Sequence, residues 1–175
     1  MRFGENGPES VFEIQYSNQS NWYDWGCAHC SEGNYSIIMN GPRGWSGPEY
    51  AQGWSFNVPT AEFYNSFEDG DSRRDATVLD IEAFAAATGA NYTEGYDHTG
   101  YFNNKYIPRA GESGGQTELN YLTNFRIIRY SDVLLMAAEA YNRGGIDDGL
   151  AQEFLNQVRR RAFVNLIQSE HILLL

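Results

Sequence analysis

The sequence predicts a mainly α chain with an irregular, loop-rich region and a few short strands. Three observations lead there. Fifteen of the 18 glycines fall within the first 115 residues, together with all four tryptophans. From Arg126 onward apolar residues recur at sustained helical spacing, while upstream of it patterning is limited to short stretches.

Taken in order, Ser10-Val-Phe-Glu-Ile-Gln-Tyr16 alternates apolar and polar residues and reads as a strand, as do Thr77 to Ala83 and Tyr101 to Ile107. Residues 17 to 58 hold eight Gly or Pro residues, which predicts a long irregular connection. Pro59-Thr60 before Ala-Glu-Phe-Tyr-Asn-Ser-Phe predicts a short helix capped by Thr60, with Phe63 and Phe67 on one face. Tyr130, Val133, Leu134, Ala137 and Tyr141 then form the stripe of an amphipathic helix that ends at Gly144-Gly145. Asp147-Asp148 caps a second helix with the stripe Leu150, Phe154, Leu155, Val158 and Ala162, and Arg159, Arg160 and Arg161 suit its carbonyl end. This helix hairpin, about 129 to 163, buries one face only and needs a neighbour to stack on.

Twelve basic against 23 acidic side chains give a net charge of −11, all of it within residues 1 to 125, where six basic face 17 acidic groups. Such a balance argues against phosphate backbones as ligands and so against nucleic acid. The longest apolar run, Val133 to Ala138, falls far short of a bilayer span, and residues 1 to 5 lead into no apolar signal segment.

Trp22, Tyr23 and Trp25 cluster in a polar loop, and Trp45 and Tyr50 follow in the next Gly-rich stretch. Flat rings stack on the C–H faces of sugars while neighbouring amides and charges bond the hydroxyls. These rings, with Asn21, Asp24 and Arg43, are therefore the candidate ligand-binding residues. The competing reading is that the same rings pack beneath long loops. Cys27-Ala-His-Cys30 lacks the strand-to-helix setting of a redox pair and has no second pair to complete a zinc site, leaving a local disulfide or two thiols. Asp69, Asp71 and Asp75 faintly resemble a calcium loop, but Arg73 and Arg74 stand where oxygen ligands belong, so no cofactor is expected and the arginines are read as ion-pair partners. Glu13, Glu62, Glu68 and Glu94 supply carboxylates for a glycosidase, with nothing that sets two of them across a cleft. Asp132 and Glu139 are expected to pair with arginines such as Arg129 or Arg159.

Phe125-Arg-Ile-Ile-Arg-Tyr-Ser-Asp-Val-Leu-Leu-Met-Ala-Ala-Glu-Ala-Tyr-Asn-Arg-Gly-Gly145, then Ala151-Gln-Glu-Phe-Leu-Asn-Gln-Val-Arg-Arg-Arg-Ala162, resembles the SusD/RagB family. Val11 to Ser17, Gly53-Trp-Ser-Phe-Asn-Val-Pro-Thr60 and Phe67-Glu-Asp-Gly-Asp-Ser-Arg-Arg-Asp-Ala-Thr77 stand in the matching order, and Tyr101 to Tyr106 resembles the next extended segment. The resemblance implies a non-enzymatic lipoprotein on the extracellular face of a bacterial outer membrane. It would bind an oligosaccharide or peptide and cap a SusC-type TonB-dependent transporter, touching the membrane only through the lipid anchor of a full-length parent. Residues 1 to 125 would be the aromatic ligand side of a partial SusD-like domain, 126 to 163 one tetratricopeptide-like hairpin, and 164 to 175 an unmatched tail. Trp54, inside a family motif, takes a structural role. The chain then reads as an internal or C-terminal-half piece of a longer protein. Two other classes stay open: a helical-repeat module that binds protein and, less favoured, a glycoside hydrolase.

Overall fold

A computed structural model describes residues 6–19, 25–113 and 120–163. The chain divides into two compact units. One gathers residues 1–14, 68–72 and 126–175, and the other holds 15–67 and 73–125.

In the first unit, strand β1 (Ser10–Ile14) pairs with β6 (Phe125–Arg129), followed by helices α5 (Tyr130–Arg143) and α6 (Asp148–Ala162). The helix boundaries follow local chemistry. Asp132 accepts the Arg129 N–H at 2.9 Å and the Arg129 guanidinium at 2.7 Å, which secures the start of α5. Asp147 caps α6 by accepting the Leu150 N–H at 2.9 Å, and the three arginines stand in its last turn. Tyr141 and Phe154 meet edge to face between the two helices, with centroids 5.8 Å apart. The stripes bury Leu134, Ala151, Val158 and Ala162, whereas Val133, Leu135, Met136 and Leu155 remain exposed. In strand β1 the apolar Val11, Phe12 and Ile14 are all exposed, while the Glu13 side chain is 3 % exposed beside Arg126. Glu139 pairs with Arg143 rather than with Arg129 or Arg159, and Arg159 instead grips Glu68 through both guanidinium nitrogens at 3.0 and 3.1 Å.

The second unit comprises short pieces around two apolar clusters. Its elements are a kinked 3-10 segment (Trp25–Cys30), α1 (Ser36–Met39), β2 (Arg43–Ser46), α2 (Ala61–Asn65), α3 (Arg73–Thr77), β3 (Val78–Asp80), α4 (Ile81–Thr88), β4 (Asn91–Thr93) and β5 (Tyr101–Asn103). Strands β2 and β4 pair antiparallel, as do β3 and β5, where Leu79 opposes Phe102. Tyr50, Leu79, Ile81, Phe102 and Ile107 form one buried cluster, and Ile37, Ile38 and Tyr121 form the other, with Trp54 packed on it. Cys27 and Cys30 are joined by a disulfide.

Two expected strands end early. The segment from Thr77 to Ala83 is extended only over β3, because the Asp80 side chain accepts the Ala83 N–H at 2.9 Å and starts α4, which Gly89 stops in a left-handed conformation. Strand β5 stops at Asn103, whose side-chain oxygen accepts the N–H groups of Lys105 and Tyr106 and turns the chain out of the ladder. Thr60 caps α2 as expected, and Phe63 meets Phe67 at 5.3 Å. Among the described residues no helix is long and apolar enough to cross a membrane.

Burial separates the phenylalanines. Phe102→Ala, at a fully buried ring, is expected to cost about 3–5 kcal/mol in denaturant unfolding, whereas the exposed Phe12→Ala should stay within about 0.5 kcal/mol.

Candidate functional site

A mixed aromatic and polar cavity of about 560 Å³ in the second unit is lined by residues 43, 54–58 and 94–97. Its construction starts with a strip of backbone that has no regular secondary structure. The N–H groups of Gly53, Trp54, Ser55 and Phe56 donate to the carbonyls of Pro42, Ile38, Gly41 and Met39 at 2.8 to 2.9 Å. Gly53 permits this approach, since a Cβ there would lie 1.8 Å from the Asn40 carbonyl oxygen.

With the strip fixed, its side chains and neighbours form the wall. The Arg43 Nε donates to the Trp54 carbonyl at 2.7 Å and its guanidinium lies 5.6 Å from the centre of the Phe56 ring. The Ser55 hydroxyl accepts the Arg43 N–H, and the Asn57 amide donates to Asn40 at 3.2 Å. Gly95 packs on Ser55 so closely that an added Cβ would sit 2.8 Å from the Ser55 Cβ. That contact holds the segment Glu94-Gly-Tyr-Asp97 along the opposite side. Tyr96 is 93 % exposed and Phe56 52 %, so both present ring surface to solvent. Ser55, Asn57 and Asp97 all have φ between 53° and 58°, a left-handed backbone that costs about 1–3 kcal/mol at a residue with a side chain and gathers at ligand-holding sites.

The electrostatics lean negative. Glu94 and Asp97 line the cavity with one cation, Arg43. Nearby, the Tyr92 phenol is pushed above its ordinary range, chiefly by burial and then by Glu82, Glu94 and Asp80.

Among the described residues proposed as ligand contacts, Arg43 lines this cavity, as does Glu94, named from sequence only as a spare carboxylate. Trp45 and Tyr50 belong with the core: their centroids are 5.9 Å apart, both rings contact Phe84, and Tyr50 is 4 % exposed. Tyr50 keeps no free ring face, whereas Trp45 is only partly buried against the same cluster. Burial also raises the Tyr50 phenol, with Glu49 adding to the effect. Asn21, Trp22, Tyr23 and Asp24 lie outside the described residues, and Trp25 opens the 3-10 segment. Arg74 pairs with Asp75 at 2.9 Å, and among the described residues no three His, Cys, Asp or Glu side chains gather to hold a metal ion. Phe56, Asn57, Tyr96 and Asp97 were missed, although Gly95-Tyr96-Asp97 satisfies the same test of an aromatic in a polar, Gly-bearing loop.

Comparison with known proteins sets this architecture among relatives. Residues 8–172 match the family described as the SusD family. The chain belongs to the SusD family. It is 30 % identical over 163 residues to SusD-like protein P2 of Formosa agariphila, covering 88 % of this chain and 30 % of that protein. Among solved structures, it resembles surface glycan-binding protein A from Bacteroides thetaiotaomicron in complex with laminarihexaose. The TM-score is 0.83 at 34 % identity, over 93 % of this chain and 37 % of that one. A laminarin binding SusD-like protein aligns with a TM-score of 0.77 at 39 % identity, over 92 % of this chain and 35 % of that one. The SusD-family chain thus spans about a third of the length of these relatives.

The Gly95 contact is testable without a ligand. Gly95→Ala must push residues 94–97 away from Ser55 and is expected to destabilise the chain by about 1–3 kcal/mol, read as a lowered thermal midpoint.

Proposed function

We propose that this chain supplies part of the ligand face of a surface protein that captures oligosaccharides without cleaving them. The observation that carries the reading is the cavity in which exposed Tyr96 and Phe56 stand beside Arg43, Asn57, Glu94 and Asp97. Aromatic faces hold sugar rings through their C–H surfaces, and a few fixed polar groups select hydroxyl positions. Membership of the SusD family and likeness to proteins named for laminarin and laminarihexaose binding support the same ligand class. Two carboxylates against one guanidinium favour an uncharged glycan over a uronic or sulfated one. Family membership supports extending this reading to a longer parent protein: display at the outer face of the outer membrane through a lipid anchor, and delivery of the ligand to a SusC-type TonB-dependent transporter.

A second reading has its own observation. Helices α5 and α6 border a groove of about 430 Å³ in which Leu135, Ala138, Ala151 and Leu155 lie beside Glu139, Asn142, Asp148 and Gln152, which supports a helical-repeat module that binds protein. The two readings rest on different units, so substitutions separate them.

Isothermal titration of the chain with laminarihexaose should give saturable binding. Tyr96→Ala should weaken it about tenfold while the near-ultraviolet circular dichroism keeps its folded form. Incubation should release no reducing sugar. Absence of binding across neutral glycans, or turnover that disappears in Glu94→Gln, would overturn the proposal, the latter in favour of a hydrolase.

A further inference from the structure

We propose that the glycan site continues past Asn57 and Val58 into a second cavity that takes a further neutral sugar unit of the same chain, an extension that rests on the reading above. The second cavity, about 190 Å³, is lined by Asn57, Val58, Pro59, Phe63, Thr77 and Asn103. It shares Asn57 and Val58 with the larger one, so the two adjoin across a single stretch of backbone.

That stretch is a fixed sill. Asn57 sits in the left-handed region with φ 53° and is tied to Asn40, while Val58 packs against the buried cluster around Phe102. Beyond it, the Thr99 hydroxyl donates to the Pro59 carbonyl at 2.7 Å, and the Thr60 cap at 3.2 Å anchors the turn that carries Phe63. The Phe63 ring is 45 % exposed and its orientation is set by the edge-to-face contact with Phe67, so it offers a second stacking surface. Polar recognition is available from the Thr77 hydroxyl and from Asn103. Because the Asn103 oxygen already accepts from Lys105 and Tyr106, its amide NH₂ is the group left to donate to a sugar hydroxyl.

The chemical class follows from what lines the space. No ionisable side chain is among the six lining residues, so a uronate or sulfate seated there would lose hydration and gain no counter-charge. An uncharged pyranose loses little and keeps both a ring face and hydroxyl partners. The larger cavity is already of a size that holds a small ligand, so occupation of the second depends on ligand length.

Titration of the 175-residue chain with the disaccharide and the hexasaccharide of one neutral β-glucan tests this. The hexasaccharide should bind at least about fivefold more tightly, and Phe63→Ala should remove about five- to tenfold of its affinity while leaving that of the disaccharide within about twofold. Tyr96→Ala should weaken both ligands. Phe63→Leu, which retains apolar packing but lacks the ring, should reproduce the Ala result and decides the matter where the Ala variant loses its folded near-ultraviolet spectrum. Equal affinities for the two lengths, or an unchanged hexasaccharide affinity in Phe63→Leu, overturn the extension while the glycan-binding reading stands. A folded 175-residue chain that binds neither ligand overturns both.

Discussion

The close approach of residues 53–56 to residues 38–42 is the constraint on which the site depends. Four main-chain hydrogen bonds hold the two segments together without making either a regular strand. Only glycine fits at position 53, and Gly41 is needed at φ 80°, where a side chain would also meet Pro108 and Ile107. The strip's anchoring rests on buried Ile37 and Ile38, with Trp54 packed against that pair. From this one arrangement follow the left-handed conformations of Ser55 and Asn57, the exposure of Phe56, the carbonyl that holds Arg43 and the surface on which Gly95 rests. Strain at these residues is sustained by the bonds around them, which is how a loop-rich region presents a preformed cavity.

Stability and recognition draw on different groups. Apolar burial around Phe102 and Ile81 supplies the rigid core, while the ion pairs formed within α5 and within α6, Glu139 with Arg143 and Glu153 with Arg160, sit at exposed positions and contribute little. Arg160 draws the Glu153 carboxyl below its ordinary range through a direct hydrogen bond, without burial to amplify the effect. The acidic excess lies on the part of the chain that bears the cavity. A neutral ligand pays no electrostatic penalty for approaching such a surface, whereas a polyanion is repelled within a screening length.

Legibility followed how local the determining interactions were. The α5–α6 hairpin was readable because its apolar spacing, the Asp147 cap and the glycines at 144 and 145 are all encoded within a few residues. Thr60 announced α2 in the same way. Helix α4 was missed although Asp80 and Gly89 mark its ends, because alternation over residues 77 to 83 outweighed the caps. Val11 and Phe12 point to opposite faces of β1 and both are exposed, so an alternating pattern predicts the strand but not which side is covered. The cavity was the least legible part. It is made by residues 43 and 95 meeting at the Ser55 side chain, through contacts that carry no sequence period, and the tryptophan-rich stretches drew attention from Tyr96. Trp45, the most conspicuous ring of its loop, is used to pack Tyr50 and Phe84.

Amide chemical-shift mapping during titration with laminarihexaose tests the central claim most directly. The account predicts saturable shifts confined to residues 43, 54–58 and 94–97, with Phe63, Thr77 and Asn103 joining them. Shifts concentrated on α5 and α6, or none at saturating ligand, would contradict it.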